Sequence, residues 1–285
     1  MSKLILGTAQ FGLDYGINNK TGQISEEKSF EILTMAYENG IQQLDTAKAY
    51  GSSHNVIGKY HRLYPQRLFR CITKIPRGKN LLNLNNTIEA YLEELNVSEL
   101  ECLMFHSFED YKNATREIQI LSNDLRIKKV GVSIYTNEEG YYLADDDNVS
   151  IVQLPFNLLD NFAQRGNLIN YLRERKKEIH ARSVFLQGFF FKENIEEYSM
   201  LFQLKKELEL LKRLAAENNI SMEELALQYV HSFNEIDKVI IGVDSLYHIE
   251  KNLKAVSSFL DPEIVSLINL IKVEDRGLLN PSLWI

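Results

Sequence analysis

The 285-residue chain predicts a single-domain α/β fold, a closed (β/α)8 TIM barrel over residues 1–285. Three observations carry that expectation: eight short apolar runs, longer amphipathic segments between them, and no glycine-rich fingerprint after the first run. The runs fall at 4–8, 41–45, 69–74, 102–106, 130–134, 151–155, 180–184 and 239–241. Each is brief and mostly apolar on both faces, as strands of a doubly covered parallel sheet are. Strands joined by helical crossovers pair in parallel with right-handed connections, and eight such units in about 250 residues fit a barrel. A doubly wound open sheet is the alternative, but the GxGxxG it normally carries after the first strand is missing.

The intervals read as helices. Ser25 is placed to cap a helix carrying Phe30, Leu33 and Tyr37, and Gly40 suits the position just beyond its end. Ile88, Tyr91, Leu92 and Leu95 lie on one helical face. The long interval before the eighth run predicts two helices, LKKELELLKRLAAE and one opened by a Ser221/Glu224 capping box. Asp261-Pro262 reads as the start of a last helix. No linker rich in Pro, Gly or Ser interrupts the chain.

Composition narrows the function. Lys+Arg 32 against Asp+Glu 39 leaves a net charge of -7 with no block of either sign, which argues against nucleic-acid binding through a basic surface. Two cysteines, Cys71 and Cys102, make neither a disulfide framework nor a zinc site, and there is no metal motif such as HExxH. The N-terminal MSKLILGTAQFG lacks a signal-peptide pattern, and no apolar stretch approaches the roughly 18 residues of a membrane span. The expectation is a soluble cytoplasmic protein that binds no membrane.

In a barrel of this kind, chemistry sits where the βα loops gather at the C-terminal strand ends. The second run closes on Asp45, with Tyr50 and Gly51 shortly after; the third ends in Lys74 and the fourth in His106. Singly, each has an ordinary role: Asp as a turn former or helix cap, Tyr as packing, Lys snorkelling to solvent, His capping a loop. On consecutive strands of one barrel they bring an acid, a phenol, an amine and an imidazole to one rim.

The stretches LDTAKAYGSS, ITK and LMFHSF closely resemble the aldo-keto reductases. The likeness spans nearly the whole chain, through GTAQFG, GVSIY, VQLPFNLLD, ARSVFLQG and IIGVDSLYHIEKNL. It implies a catalytic tetrad of Asp45, Tyr50, Lys74 and His106, and reduction of an aldehyde or ketone by a nicotinamide dinucleotide, NADPH first and NADH second. Gly7, Thr8 and Asp45 would line the cofactor site. Ser133 and Gln153 would meet the carboxamide, with Ile134 where many relatives have Asn. Arg182 stands where many relatives stack an aromatic ring on the nicotinamide, and a guanidinium can stack there or reach substrate. Ser183, Gln187 and Gly188 would run along the pyrophosphate. Gly242, Val243, Asp244, Ser245, His248 and Asn252 would meet the adenosine end, where Asp244 is poorly suited to a 2′-phosphate but suited to a ribose hydroxyl.

The chain departs from many relatives in three further ways. Only three residues precede the first run, too few for a hairpin across the barrel bottom. Ala9 and Ser107 stand where bulky aromatics often wall the pocket, so a wider, more polar pocket is expected, suited to a sugar or nucleotide-sugar ketone. Trp284, the one Trp, is placed either to fold over the rim or to pack the outer helices. The partner expected is a small carbonyl compound, and the chain a monomer or weak homo-oligomer.

In this scheme Tyr50 is the general acid. A free phenol has a pKa of about 10, and an ammonium at ~4 Å would favour phenolate by about 4 kcal/mol at an effective dielectric of 20. Lys74 is therefore expected to lower the Tyr50 pKa by roughly two units after desolvation losses. Asp45 would hold Lys74 protonated, and His106 would orient the substrate oxygen. Two other readings stay open on sequence: a cofactor-binding regulatory subunit with little turnover, and a Schiff-base lyase using Lys74 as nucleophile.

Overall fold

Strands that are apolar on both faces need cover on both, and the chain supplies it by closing its sheet on itself. The structure, a computed structural model, describes residues 2–284 except 20, 21, 79, 80, 82 and 196–198. The strands are β1 Leu4–Gly7, β2 Gln43–Asp45, β3 Arg70–Ile75, β4 Cys102–Phe105, β5 Val130–Ser133, β6 Ile151–Pro155, β7 Glu178–Arg182 and β8 Lys238–Gly242. Each pairs in parallel with the next, and β8 returns to β1 with Leu4 opposite Val239 and Gly7 opposite Gly242. The expected barrel is the observed one.

The pleat sorts the strand residues into two layers. Ile5, Ile72, Cys102, Met104 and Ile151 point inward and fill the barrel, with Ile240 against them. Leu4, Leu6, Leu103, Phe105 and their neighbours point outward into the larger core beneath the helices. Parallel strands covered on both faces read as continuous apolar runs, which is why the runs were visible in the sequence.

Most helix starts obey the expected chemistry. Ser25 accepts from the Lys28 amide ahead of helix Glu26–Glu38, Ser221 and Glu224 form a capping box on Met222–His231, and Asp261 caps Pro262–Asn269. Ile88, Tyr91 and Leu95 are buried on Leu84–Leu95, and the long interval after β7 holds Lys205–Glu217 and Met222–His231. The seventh strand differs from its expected bounds, 180–184, by two residues. Ser183 adopts φ +58, outside the extended region, and so ends the strand at Arg182. At the other end Glu178 and Ile179 join it, and Glu178 pairs with His180 at 2.8 Å.

That pair belongs to a chain of charges across the N-terminal end of the barrel. Arg70 lies 3.8 Å from Glu101, Glu101 3.7 Å from Lys129, and Lys129 is bonded to Glu178. Burial alone would raise the Glu178 carboxyl, but His180 and Lys129 outweigh it and bring the pKa down to about 2. A row of polar groups thus closes the barrel's lower end. Among the described residues no helix is long and apolar enough to cross a membrane.

The C-terminal segment returns to the opposite, C-terminal rim. Arg276 reaches Gln164 at 3.1 Å and Asp160 at 3.7 Å. Trp284 donates its indole N–H to the Leu278 carbonyl at 3.0 Å and packs 6.2 Å from the Phe189 ring in the loop after β7. Of the two placements expected for Trp284, the rim is the one adopted.

The outer helices meet closely at one glycine. A Cβ on Gly58, in helix Ser53–Leu63, would lie 1.9 Å from the Glu94 carbonyl oxygen of helix Leu84–Leu95. In an exposed helix, Gly→Ala gains up to about 1 kcal/mol. At Gly58 the sign reverses, because a backbone carbonyl cannot step aside. Gly58→Ala is expected to destabilise the fold by about 3 kcal/mol, read as a fall in Tm; an unchanged or higher Tm contradicts the contact.

Candidate active site

The site begins with one ion pair. Asp45 at the end of β2 and Lys74 near the end of β3 are 4% and 1% exposed, so neither charge is shared with bulk water. The Lys74 ammonium donates to Asp45 Oδ1 at 2.5 Å and to the Thr46 carbonyl at 3.0 Å. The second carboxylate oxygen, Oδ2, accepts from Gln153 Nε2 of β6 at 2.8 Å. Asp45 thereby links three strands across the barrel mouth.

Tyr50 is positioned by backbone contact rather than by its side chain. A Cβ on Gly12 would lie 1.8 Å from the Tyr50 carbonyl oxygen, and one on Gly51, at φ +53, would lie 2.3 Å from the Gly12 carbonyl. The first and second βα loops therefore touch main chain to main chain, and glycine is required on both sides. Hydroxyls fasten the same junction: Ser53 donates to Thr8 Oγ1 at 2.8 Å, and Thr8 donates to the Asp45 carbonyl at 3.1 Å. So fixed, the Tyr50 ring lies 5.3 Å from Lys74 Nζ and 6.1 Å from the His106 ring, nearly perpendicular to it.

Among the described residues, neither the Tyr50 hydroxyl nor a His106 ring nitrogen has a hydrogen-bond partner. Both residues line a cavity of about 860 Å³ at the C-terminal rim. The rim brings the four expected residues together around one space. Among the described residues no cluster of His, Cys, Asp and Glu could hold a metal ion.

A model of the aldo/keto reductase family matches residues 3–272. The chain belongs to the aldo/keto reductase family. An uncharacterized oxidoreductase, YrpG of Bacillus subtilis, is 24% identical over 94% of this chain and 91% of its own length. The D-arabinose 1-dehydrogenase of Saccharomyces cerevisiae is 21% identical over 86% of this chain and 80% of its own. Among solved structures, the holo form of aldo-keto reductase AKR11C1 from Bacillus halodurans superposes with a TM-score of 0.78 at 20% identity, covering 96% of this chain and 95% of that one. Glycerol dehydrogenase AKR11B4 from Gluconobacter oxydans gives 0.73 at 20% identity, covering 95% and 91%.

Within this aldo/keto reductase site, one electrostatic expectation is overturned. The Tyr50 pKa is raised, not lowered: burial is the main cause, the Asp45 charge adds to it, and Arg182 opposes it. Lys74 donates to Asp45 and Thr46 and makes no hydrogen bond to the phenol, so burial and the Asp45 charge prevail. Tyr50 is a protonated phenol at neutral pH. His106 is brought down to about 4 by burial and by the Lys74 charge, with Asp45 opposing and Arg77 and Arg182 adding, so its imidazole is neutral.

Most residues expected around a cofactor line the same cavity: Gly7, Thr8, Ser133, Gln153, Arg182, Ser183, Gln187, Gly188, Gly242, Val243, Asp244, His248 and Asn252. Ser245 does not; its hydroxyl caps helix Leu246–Ala255 by accepting from the His248 amide at 3.3 Å. Ile134 is fully buried and offers the site only its carbonyl, which accepts from Arg182 Nη2 at 2.9 Å. Asp244 pairs with His248 at 2.7 Å, which holds the imidazole pKa above its ordinary value.

The expected want of aromatic walls is corrected. Ala9 does line the cavity, while Ser107 caps helix Phe108–Lys112 instead. Aromatic cover comes from Tyr15, Tyr135, Phe185 and Phe191. The first loop also crosses to the seventh: the Ile17 amide donates to the Gln187 carbonyl at 3.0 Å, and Gln187 Nε2 donates to the Tyr15 hydroxyl at 3.2 Å. Arg77, Tyr135 and Ser282 also line the cavity and were not foreseen. Arg77 and Tyr135 each sit two residues past a strand end, so a search continued beyond those ends would have reached them; Ser282 carries no such signal.

His106 is expected to titrate near 4, measured by NMR of the imidazole in the unliganded protein. The sign follows from burial: the folded state resists the proton that the unfolded chain takes up near 6.5, so this residue's share of stability is present above that value and lost as pH falls toward 4. A midpoint near the free value would contradict the described environment.

Proposed function

We propose that the protein is a nicotinamide-dependent oxidoreductase that reduces an aldehyde or ketone to an alcohol. The observation that carries this reading is the buried Asp45–Lys74 pair with the unpartnered Tyr50 hydroxyl and His106 ring beside it on one cavity. Within that class, the polar rim favours a small hydroxylated carbonyl compound, such as a sugar.

The cavity's donor set suits a dinucleotide. It is long enough to run from β5 and β6 to the start of helix Leu246–Ala255. Ser133 and Gln153 would hold the nicotinamide end, Ser183, Gln187 and Gly188 the pyrophosphate, and Gly242, Val243, Asp244, His248 and Asn252 the adenosine. When bound, the cofactor supplies the hydride. Tyr50 then has one task, to give its hydroxyl proton to the substrate oxygen. Its raised pKa keeps that proton in place until the oxygen becomes the stronger base.

Lys74 stabilises what Tyr50 leaves behind. Two of its three N–H groups are taken by Asp45 and Thr46. The third has no partner among the described residues and is free to meet the phenolate oxygen as it forms. Arg182 favours the same charge from a distance. His106, neutral at working pH, donates to or accepts from the substrate oxygen without changing charge. Gln153 fixes the second Asp45 oxygen, so the ion pair cannot swing out of line.

We place NADPH ahead of NADH. His248 is the cation that meets the 2′-phosphate, and Asp244 keeps it charged while limiting the preference by its own charge. Once the phosphate is ionised, NADPH affinity is expected to fall as pH rises through the His248 pKa, which lies above the ordinary imidazole value, while NADH affinity stays level. Level curves for both cofactors, measured by fluorescence titration, would place the phosphate away from His248.

Replacing the acid tests the main reading. Tyr50→Phe is expected to lower kcat for carbonyl reduction by about 10²–10⁴-fold, the usual range for a general acid, with cofactor binding retained. Full turnover in that variant would remove Tyr50 from the chemistry.

A further inference from the structure

Among the cations that line the cavity, the two arginines have no counter-charge within the described residues. Arg77, two residues beyond the end of β3, makes no hydrogen bond or ion pair among the described residues. Arg182, the last residue of β7, donates only to neutral oxygens: Nη2 to the Ile134 carbonyl at 2.9 Å and Nη1 to Ser183 Oγ at 3.2 Å. Its Nε is buried without a partner, and its guanidinium lies 4.3 Å from the centroid of the Tyr135 ring. No carboxylate oxygen of a described residue comes within 4.0 Å of either guanidinium.

Among the described residues four acids line the cavity, and of these Glu193 and Glu223 form no ion pair with either arginine. Asp45 belongs to Lys74, and Asp244 to His248 at the far end of the cavity. Arg182 is half-buried with its Nε out of reach of any partner, and a guanidinium so placed is favoured by a group of opposite sign. The position says what that is. Arg77 and Arg182 line the cavity together with Tyr50, His106 and Tyr135, with Arg182 4.3 Å from the Tyr135 ring, so they adjoin the place where a substrate oxygen would meet Tyr50 and His106. That is not the end of the cavity formed by Gly242, Asp244 and His248, where phosphate groups of a cofactor would be sought. Arginine also suits the task, because its planar fork matches a carboxylate or phosphate.

We infer that the substrate is an anionic carbonyl compound, its carboxylate or phosphate group held between Arg77 and Arg182 above the Tyr135 ring while its carbonyl faces Tyr50 and His106. This rests on the reductase reading and specifies its substrate. The anionic group takes no part in the redox step. The carbonyl carbon gains hydride from NAD(P)H, the oxygen gains the Tyr50 proton, the C=O π bond becomes a C–H and an O–H bond, and oxidised cofactor leaves.

The test compares matched aldehydes with NAD(P)H: 4-oxobutanoate against 4-oxobutanamide, and glyceraldehyde 3-phosphate against glyceraldehyde. The charged member of at least one pair is expected to show about 30-fold higher kcat/KM, mostly through KM, and the larger preference identifies the group. That preference should shrink as salt is raised, because the attraction is screened. In Arg77→Gln it should fall about tenfold, equivalent to about 1.4 kcal/mol; Arg77 is exposed at the cavity mouth, so the fold survives the change. Equal use of charged and neutral substrates, or a preference indifferent to Arg77→Gln, overturns the inference. Calorimetry with succinate and inorganic phosphate separates the two readings. If no aldehyde is reduced but either anion binds wild type and not Arg77→Gln, the anion site stands and the reductase reading falls. If neither anion binds wild type, the anion site is refuted.

Discussion

The burial of Asp45 against Lys74 constrains everything else at the rim. Two charges out of water at 2.5 Å are held by the polar groups around them: Thr46 takes one ammonium proton and Gln153 occupies the other carboxylate oxygen. A buried ion pair of this kind seldom adds net stability, since desolvation consumes most of its attraction. Its retention at the mouth of a barrel is better explained by what it does to the neighbouring phenol. Burial keeps the proton on Tyr50 and the Asp45 charge adds to that effect, while Lys74 has one N–H without a partner among the described residues.

Rigidity is what makes that arrangement usable. The Gly12–Gly51 contact joins two loops at the main chain, where no rotamer can relax it, and the Thr8–Ser53 hydroxyls lock the same junction. The interior plug of Ile5, Ile72, Cys102, Met104 and Ile151 supports the strand ends from below, and the charges from Arg70 to His180 close the far end. Precise placement of a proton donor matters because misplacement by about 1 Å can cost as much as 10²-fold in rate. The fold thus places rigid main-chain contacts beside the side chain that the proposed reaction asks to give up a proton.

Much of this was legible in the sequence because barrel strands carry signals on both faces. Apolar runs marked all eight strands, the Ser25, Ser221 and Asp261 caps marked their helices, and Asp45, Lys74 and His106 were visible as polar residues closing apolar runs. The seventh strand was displaced because Ser183 takes a left-handed φ that no side-chain type announces. The Tyr50 pKa was misjudged for a different reason: the sequence pairs Asp45 with Lys74 but does not show how deeply the phenol is buried, and burial is the main cause of the rise. Arg77, Tyr135 and Ser282 escaped because loop residues have no periodicity to betray which way they face. Trp284 was undecided on sequence and is settled by a contact with Phe189 nearly a hundred positions away.

The most direct test separates the structural from the chemical work of the ion pair. Asp45→Asn alone should destabilise the protein by about 3–5 kcal/mol, because it strands a buried ammonium. Adding Lys74→Met should restore most of that stability by removing the stranded charge. Carbonyl reduction followed in a single turnover should stay lost in the double variant, since no cation then meets the Tyr50 phenolate. Recovery of turnover together with stability would show that the pair only holds the rim in shape, and would contradict the account.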